Sequence, residues 1–265
     1  MKKLLIAGAA LAALAGSPVF AADLALKAPP PAAPAWSWSG FYAGVNLGGA
    51  WGTSTYAFQP GAAWATGLGG AAAPAQLVKD GAAKLNMSSI SAGGQIGYNW
   101  QVSNIVFGPE ADIQYIGLRK TNSFTQNGPL PFIGTPYVFT ETSRSDWMAT
   151  VRGRLGVASG RVLFYGTGGV AFADSASADT LTFPTFVPVP TFTGAGTRSS
   201  VQTGWTAGGG VEWAFSDHWT AKAEYLYARF PTSTTGMNPI NTVLTQSYTD
   251  RLAVNLARLG VNYKF

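Results

Sequence analysis

The final stretch of the chain, residues 251–265, alternates between apolar and polar side chains. A period of two predicts a β-strand with one apolar face and one polar face. A soluble protein rarely ends inside a strand on an unpaired aromatic residue, whereas the last strand of a closed membrane barrel pairs with the first and leaves no edge. The apolar phase holds Ala257, Leu259, Val261, Tyr263 and Phe265, and the polar phase holds Arg258, Gly260, Asn262 and Lys264.

The chain is rich in apolar residues but has no long apolar stretch, and this combination also restricts the fold. Of the 265 residues, 13% are aromatic, 11% are charged and 33 are Gly. No stretch reaches the roughly 20 consecutive apolar residues that a membrane helix requires. This composition is typical of a transmembrane β-barrel, in which lipid-facing and lumen-facing residues alternate. On composition alone, a soluble Gly-rich β-sandwich fits equally well.

Cysteine content and charge exclude several classes of function. The chain has no Cys, so a disulfide framework and a thiolate metal site are excluded. The net charge of +5 falls to +3 when Lys2 and Lys3 are set aside, and the remaining basic residues are scattered. Such a charge is too small and too dispersed to indicate a nucleic-acid partner.

The N-terminus has the pattern of a secretory signal peptide. Two lysines precede the apolar run 4–14, and the small residues Val19 and Ala21 occupy positions −3 and −1 of a cleavage site. The apolar run has only 11 residues, too few for a membrane anchor. Residues 27–35 are rich in Pro, which lacks the N–H that a ladder needs, so they predict an extended spacer. We therefore predict a signal peptide at 1–21, a Pro/Ala-rich periplasmic linker at 22–36 and one β-barrel domain at 37–265.

Eight segments carry the strand period. In the fifth strand the phase stays open, because Val162, Phe164, Val170 and Phe172 compete with Leu163, Tyr165 and Ala171. The predicted strands lie at about 40–51, 88–101, 105–118, 145–157, 162–173, 200–215, 219–229 and 251–265.

The connections between these segments alternate between long and short. Long loops are predicted at 53–87, 119–144, 174–199 and 230–249, and short turns at 103–104, 159–161 and 216–218. In an up-and-down barrel this order places all long loops at one end and all short turns at the other, as in outer-membrane barrels. A Greek-key sandwich has no reason to sort its connections in this way. The predicted fold is all-β, a transmembrane antiparallel up-and-down barrel of eight strands with long external loops and short periplasmic turns.

Aromatic residues fall at two levels when the strands are placed head to tail. Two aromatic belts are expected where amphipathic rings settle at the membrane surfaces. Phe41 and Trp51 are ten residues apart on one strand, which at a tilt of about 40° gives roughly 25 Å of height. The short-turn level holds Phe41, Trp100, Phe107, Phe215, Trp219, Tyr263 and Phe265, and the long-loop level holds Trp51, Tyr115, Trp147, Tyr225 and Tyr227.

Five segments have sequences that are familiar from one protein family: 38–49 (WSGFYAGVNLGG), 93–101 (GGQIGYNWQ), 107–114 (FGPEADIQ), 204–215 (GWTAGGGVEWAF) and 221–227 (AKAEYLY). They resemble the opacity-type outer-membrane proteins of alphaproteobacteria, a family of small OmpA-like eight-stranded barrels. The resemblance implies an outer-membrane location in a Gram-negative bacterium. It also implies that Tyr263 and Phe265 form the terminal signal read by the barrel-assembly machinery. Members are described as surface antigens, envelope-stabilising proteins, host-interaction factors, haem binders or porins.

The phase opposite the lipid-facing one carries charges that would line the lumen. Acids and bases there are nearly balanced, as charges in a narrow lumen must be. Across the 216–218 turn Glu212 falls opposite Lys222, and Arg258 needs an acid from Glu110, Asp112 or Glu224. We interpret the set as a network that rigidifies the barrel; a proton or ion path is the alternative. Its members are Glu110, Asp112, Arg152, Arg154, Glu212, Lys222, Glu224 and Arg258, with Lys264 in the same phase.

The sequence offers no candidate catalytic or cofactor site. The single His, His218, falls in a short periplasmic turn, away from the outer rim where barrel enzymes place a general base. Ser145 and Asp146 near that rim have no His partner, and the acids show no metal-cage spacing. With no external His or Cys to ligate iron, haem binding has little support. We therefore expect neither an enzyme nor a bound cofactor or metal.

Two functions remain open from the sequence. The first is an outer-membrane surface protein that anchors in and stabilises the envelope and displays external loops for surface or host interaction. The alternative is a small-solute porin or ion channel, which the narrow interior of an eight-stranded barrel disfavours. The expected partners are outer-membrane lipid, the barrel-assembly machinery during insertion, and host or envelope partners at the loops, with no nucleic acid.

Overall fold

The computed structural model describes residues 36–63, 72–127, 136–183, 191–240 and 244–265. The predicted signal peptide and all but the last residue of the predicted linker lie outside these ranges and stay predictions. Within the described residues, no helix is long and apolar enough to cross a membrane.

Nine antiparallel strands and one helix form the described chain. Strand β1 pairs with both β2 and β9, so pairing passes around a ring from the first strand to the last. The strands are β1 (Gly40–Pro60), β2 (Ala83–Val102), β3 (Ile105–Asn127), β4 (Pro136–Ser159), β5 (Val162–Phe183), β6 (Phe192–Ala214), β7 (Trp219–Arg229), β8 (Ser233–Ile240) and β9 (Leu244–Lys264), and the helix is α1 (Ala72–Asp80).

The seam between the first and last strands has the predicted partners. Val45 lies opposite Val261 and Leu47 opposite Leu259 in the β1–β9 ladder, which extends from Tyr42 to Pro60. The all-β, antiparallel, up-and-down order is confirmed by the neighbour pairings along the chain. The strand that ends the sequence therefore leaves no edge exposed to lipid.

The count of eight strands is wrong by one short strand. Strand β8 lies inside the predicted loop 230–249 and pairs with β9 directly above the stretch of β9 that pairs with β7. Residues 230–232, which include Pro231, separate β7 from β8. Because Pro has no N–H to donate, it interrupts the ladder there. Strands β7 and β8 thus occupy one position in the ring in succession.

Most strands are longer than predicted, and much of the predicted loop sequence is strand. The stretches 53–60, 119–127, 136–144 and 174–183 belong to β1, β3, β4 and β5 instead of loops. The predicted loop 53–87 also contains α1. In contrast, β7 has the predicted bounds, and the short turns lie where the sequence predicts them.

The outer face of the ring has an apolar band with aromatic residues at both levels. At the short-turn end, all seven predicted belt residues have exposed rings, from 36% for Tyr263 to 71% for Phe265. At the other end Trp51, Tyr115 and Tyr225 are exposed, while Trp147 and Tyr227 are half-buried. The open phase of β5 is now settled: Phe164 and Val170 face outward, and Leu163, Tyr165 and Ala171 are buried.

We predict that Gly48→Val prevents closure of the barrel, whereas Gly49→Val does not. A Cβ at Gly48 would lie 2.1 Å from the Ala257 carbonyl oxygen of the facing strand, so the seam must shift, at a cost of about 3 kcal/mol or more. A Cβ at Gly49 meets nothing within 4 Å. The measurement is the fraction of refolded protein that migrates as the compact species on unheated gels. Equal folding of the two variants would contradict the argument.

Candidate functional site in the barrel lumen

The middle of the lumen holds a cluster of eight buried charges. Each comes from the inward phase of its strand, and together they form four acids and four bases. A side chain of one strand reaches acids on strands across the ring because an eight-strand lumen is only wide enough for side chains to fill. The structure brings together all eight predicted residues: Glu110 and Asp112 of β3, Arg152 and Arg154 of β4, Glu212 of β6, Lys222 and Glu224 of β7, and Arg258 of β9.

Arg152 lies at the centre of this cluster. Its guanidinium is fully buried and donates to Glu110, to Asp112 at 2.7 Å and to Glu224 at 3.2 Å. Its Nε donates to Thr150 Oγ1 at 2.9 Å. A planar guanidinium with five donors suits this role better than Lys, because its fork satisfies several carboxylates at once.

The main acidic partner of Arg258 is Glu224, and its second acidic partner is Asp112. Arg258 Nε donates to Glu224 Oε2 at 2.8 Å, and the Arg258 terminal nitrogens approach Asp112 within 3.2–3.3 Å. Arg258 also donates to Gln114 Oε1 at 3.1 Å. Glu110 is more distant, at 3.9 Å.

Glu212 and Lys222 are directly opposite in the β6–β7 ladder, but they are not each other's hydrogen-bond partners. Lys222 Nζ reaches across the lumen to Glu110 Oε2 at 3.1 Å. Glu212 instead accepts from Arg154 at 2.6 Å and from Asn262 at 2.8 Å. The predicted register is therefore confirmed, but the hydrogen bonds of the two side chains go to other residues, because the closed lumen offers partners that a flat ladder does not.

Two tyrosines belong to the network although the sequence analysis did not assign them to it. Tyr42 donates to Glu110 at 2.7 Å and accepts from Arg154 at 3.0 Å. Tyr165 donates to Glu224 at 2.9 Å, and the Arg154 guanidinium lies 4.0 Å from the Tyr165 ring centroid. The sequence does indicate a lumen position for Tyr42, because this residue lies in the polar phase of the first strand.

Lys264 has the predicted inward phase, since it lies opposite the buried Tyr42, but it is beyond the end of the lumen cluster. It is at the periplasmic rim, where Nζ donates to the Ser37 carbonyl and lies 4.7 Å from the Trp36 ring centroid. Near this rim, Trp38 is buried and donates its indole N–H to the Gly160 carbonyl at 3.2 Å. Trp38 packs into a small apolar cluster with Val106, Ala158, Leu163, Tyr165 and Ala214.

An apolar layer fills the lumen on the outer side of the charges. On β3, β4, β7 and β9 its residues follow the charged ones toward the long-loop end. Close packing of these side chains narrows the lumen between the charge cluster and the outer rim. Its buried members are Ala50, Met87, Ile116, Leu118, Met148, Ala171, Ala173, Leu226, Ala228, Phe230, Leu252, Val254 and Leu256.

The outermost part of the lumen is filled by aromatic residues and by α1. Leu77 of α1 is fully buried, and Tyr137 donates to Asp80 at the end of α1 at 2.5 Å. This cluster contains Tyr56, Phe58, Leu77, Leu85, Tyr137, Phe139, Leu181, Phe183, Met237 and Tyr248. The helix and the rings pack together in the outer part of the described lumen.

Two carboxyl groups are buried between the apolar layer and this aromatic cluster. Glu141 of β4 and Asp179 of β5 lie directly opposite each other, and among the described residues none of their four carboxylate oxygens has a hydrogen-bond partner. Glu141 is six residues beyond Trp147, about 15 Å outside the aromatic belt, so the pair is beyond the membrane-spanning segments.

The pair is set to titrate near neutral pH. Burial, and then repulsion from Asp179, raises the pKa of Glu141 to about 8. Burial, and then Asp250, raises the pKa of Asp179 to about 7. The groups facing the pair are Asp250 and Tyr248 of β9, Tyr56 of β1 and Arg198 of β6, and Arg198 lies 3.8 Å from Asp250.

His218 and Asp146, which the sequence analysis considered for catalysis, lie at opposite ends of the barrel. His218 is exposed in the periplasmic turn and stacks on Tyr263, with ring centroids 5.6 Å apart. Asp146, near the outer belt, pairs with Arg144. In the part of the chain that the structure describes, no three His, Cys, Asp or Glu side chains group to hold a metal ion.

Known proteins resemble the chain along its whole length. The family described as "Outer membrane protein beta-barrel domain" matches residues 7–265. The 31 kDa outer-membrane immunogenic protein of Brucella melitensis is 32% identical, with 100% of each chain covered. The 22 kDa outer membrane protein of Rhizobium leguminosarum is 27% identical over 65% of this chain and 66% of that protein. Among solved structures, OprG of Pseudomonas aeruginosa is 10% identical with a TM-score of 0.45, covering 87% of this chain and 99% of that one.

Removing the central guanidinium should destabilise the barrel strongly. We predict that Arg152→Met lowers the free energy of unfolding by about 3–5 kcal/mol, because buried acids lose their counter-charge. The matched control is Arg161→Met in the exposed Arg161–Asp217 pair, where the expected loss is below about 1 kcal/mol. Urea unfolding in lipid vesicles measures both. Similar losses in the two variants would refute a central role for Arg152.

Stability should fall as pH rises through neutrality. Glu141 and Asp179 have folded pKa values of about 8 and 7, above their ordinary values of 4.5 and 3.8, so their contribution is complete below about pH 4 and is lost as pH rises through 7 to 8. Between pH 5 and pH 9 we expect a loss of up to about 7 kcal/mol, since about three pKa units for Glu141 and about two for Asp179 fall in that range and each unit corresponds to about 1.4 kcal/mol.

The Glu141→Gln/Asp179→Asn double variant should lose much less stability over that pH range, while Asp217→Asn, in an exposed turn, should behave as wild type. Unfolding by urea at each pH, with hydrogen exchange of residues 136–145 and 175–183, locates the effect. Parallel curves for the wild type and the double variant would show that the pair does not titrate in this range.

Proposed function

The chain belongs to the outer membrane protein β-barrel family, and from that premise we propose that it is a rigid, non-conducting surface protein that stabilises the envelope and presents its outer barrel to partners outside the cell. It is an outer-membrane β-barrel protein of a Gram-negative bacterium, as its relatives are. The proposal concerns what such a barrel does once it is in place.

The observation that carries the proposal is the filled lumen. From the periplasmic end outward, the described residues form a Trp38 cluster, a charge network, an apolar layer and an aromatic cluster closed by α1. A solute would have to displace side chains of all four layers. A cluster whose four acids match four bases also gives a crossing ion no unpaired counter-charge.

The part of the barrel outside the membrane supports a role in display. Strand β4 continues 11 residues from Trp147 to Pro136, which at the usual rise and tilt is roughly 28 Å. Its packed aromatic interior makes this wall a rigid support for whatever the loops carry. The Brucella relatives are named immunogenic proteins, which fits a surface exposed to the outside.

We propose no enzymatic activity. Barrel enzymes need a general base near the external rim, and His218, the one His of the chain, lies at the opposite end. The expected assembly partner would read Tyr263 and Phe265, whose rings are exposed at the periplasmic rim; Phe265 also donates its N–H to the Phe41 carbonyl at 3.0 Å.

Planar-bilayer recording of the refolded monomer tests the proposal. We expect no steady channel, because each layer of the lumen is filled, and a deletion strain should become more sensitive to bile salts until the wild-type gene is restored. Steady conductance from the monomer would replace this proposal with the porin alternative. Unchanged bile-salt sensitivity would remove the envelope-stabilising part.

A further inference from the structure

On the outward face of β7, β9 and β1, an apolar groove continues into a basic groove toward the long-loop end of the barrel. The two grooves together are called the tract below. Moving outward along β9, the outward residues are Leu259, Ala257, Asn255, Ala253 and Arg251. Each of the first four is flanked by a residue of β7 and a residue of β1 at the same height, and Arg251, beyond the end of β7, lies opposite Thr55 of β1. The tract therefore crosses the aromatic belt on one side of the barrel.

The upper end of the tract is a basic groove of about 530 Å³. Lys84 and Arg251 both lie opposite Thr55, on either side of β1, and Arg229 lies opposite Ala253. All three basic side chains are exposed. Arg251 is oriented by Thr232, to whose hydroxyl it donates at 2.8 and 3.1 Å.

No acid neutralises this groove within the described chain. Lys84, Arg229 and Arg251 form no ion pair there, and the acids of the same strands, Glu224 and Asp250, are buried inside the lumen. The outward acids Asp146 and Asp174 lie on β4 and β5. Three unpaired cations around one groove form a site for an anion with several oxygen atoms, such as a phosphate.

Below the belt the same strands, together with residues of β6 and β2, form an apolar groove of about 840 Å³. Its floor is made of small residues, Ala223, Ala257 and Gly210, and Leu47 and Leu259 lie at its sides. Between the two grooves Trp51 packs on Tyr225, with ring centroids 6.2 Å apart. The shape suits an acyl chain below and a polar headgroup above.

The depth of the basic groove matches that of a lipid headgroup. Arg251 is four residues beyond Asn255 of the belt, which corresponds to roughly 10 Å of height, and Arg229 is two residues beyond Tyr227, roughly 5 Å. The headgroup layer extends about 5–8 Å beyond the hydrocarbon on each side of a bilayer. Arg229 thus lies within this layer, and Arg251 and Lys84, which both lie opposite Thr55, are a few Å beyond it, a distance that their long side chains can span.

We propose that this tract, the β7–β9–β1 lipid site, binds a phosphate-bearing lipid of the outer leaflet. Lys84, Arg229 and Arg251 hold its phosphate, and the groove at Ala223 and Ala257 takes one of its acyl chains. The site lies outside the lumen, so it is independent of whether the barrel conducts.

Native mass spectrometry of the refolded protein with lipid A tests the site, using lipid A with its phosphates, the same lipid dephosphorylated, and inorganic phosphate as probes. We expect binding of phosphorylated lipid A to fall about tenfold or more in Arg229→Gln/Arg251→Gln, since each basic residue near an anionic surface contributes about 1 kcal/mol. The control Arg119→Gln/Lys120→Gln removes two exposed cations from β3 and should change binding less than about twofold.

A separate variant tests the apolar groove of the lipid site. Ala223→Phe fills the groove and should weaken binding of lipid A, whereas Ala149→Phe, on the outward face of β4, should not. Equal loss in both charge-removing variants, equal binding of the dephosphorylated lipid, or inorganic phosphate that displaces lipid A at millimolar concentration would each overturn the proposal. Compact migration on unheated gels confirms that every variant is folded.

Discussion

The structure depends on one requirement, which is that every backbone N–H and C=O inside hydrocarbon must be paired. The β1–β9 ladder meets it, because it turns a chain with two free strand edges into a ring with none. The two backbones also approach closely along this ladder: a Cβ at Gly44 or Gly48 would lie 2.1 Å from atoms of β9. The alternating terminal strand, the small residues that face it and the location in lipid are thus consequences of the same constraint.

The sequence predicts the membrane-spanning part of each strand well and the external part poorly, for a physical reason. Within lipid the outward phase of β1 is apolar, as at Val45 and Leu47. Beyond Trp51 the surrounding medium is water, so the outward phase becomes polar, as at Thr53 and Thr55, and the apolar side chains Tyr56 and Phe58 turn inward. A search for one fixed phase therefore stops at the outer belt, which is where the predicted loops at 53, 119 and 174 began. Strand β7 escapes this error because Pro231 ends it close to the belt.

For the charge cluster too, the sequence predicts one part and the closed geometry decides the other. Alternation alone identifies all eight lumen charges, since it requires only the phase of each strand. It does not identify their partners, because closure of the ring places Lys222 beside Glu110 and Arg152 between acids of β3 and β7. Tyr42 and Tyr165 add hydroxyl groups that share the same carboxylates. The pairing of acids with bases depends on the diameter and stagger of the whole barrel. These two quantities cannot be derived from any one pair of neighbouring strands.

A lumen filled in this way moves any specific interaction to the outer surfaces of the barrel. Buried charges cost free energy unless each is compensated, so the network of four acids and four bases in the lumen is a structural solution with little freedom to vary. Charges without an ion pair lie elsewhere in the described chain: among them, Lys84, Arg229 and Arg251 are on the outer surface above the aromatic belt, and Glu141 and Asp179 face each other beyond the membrane. Exposed cations keep their hydration until a ligand replaces it, whereas the buried acids must take up protons to become neutral. The two groups therefore respond to different variables, the first to the lipid around the barrel and the second to the pH outside it.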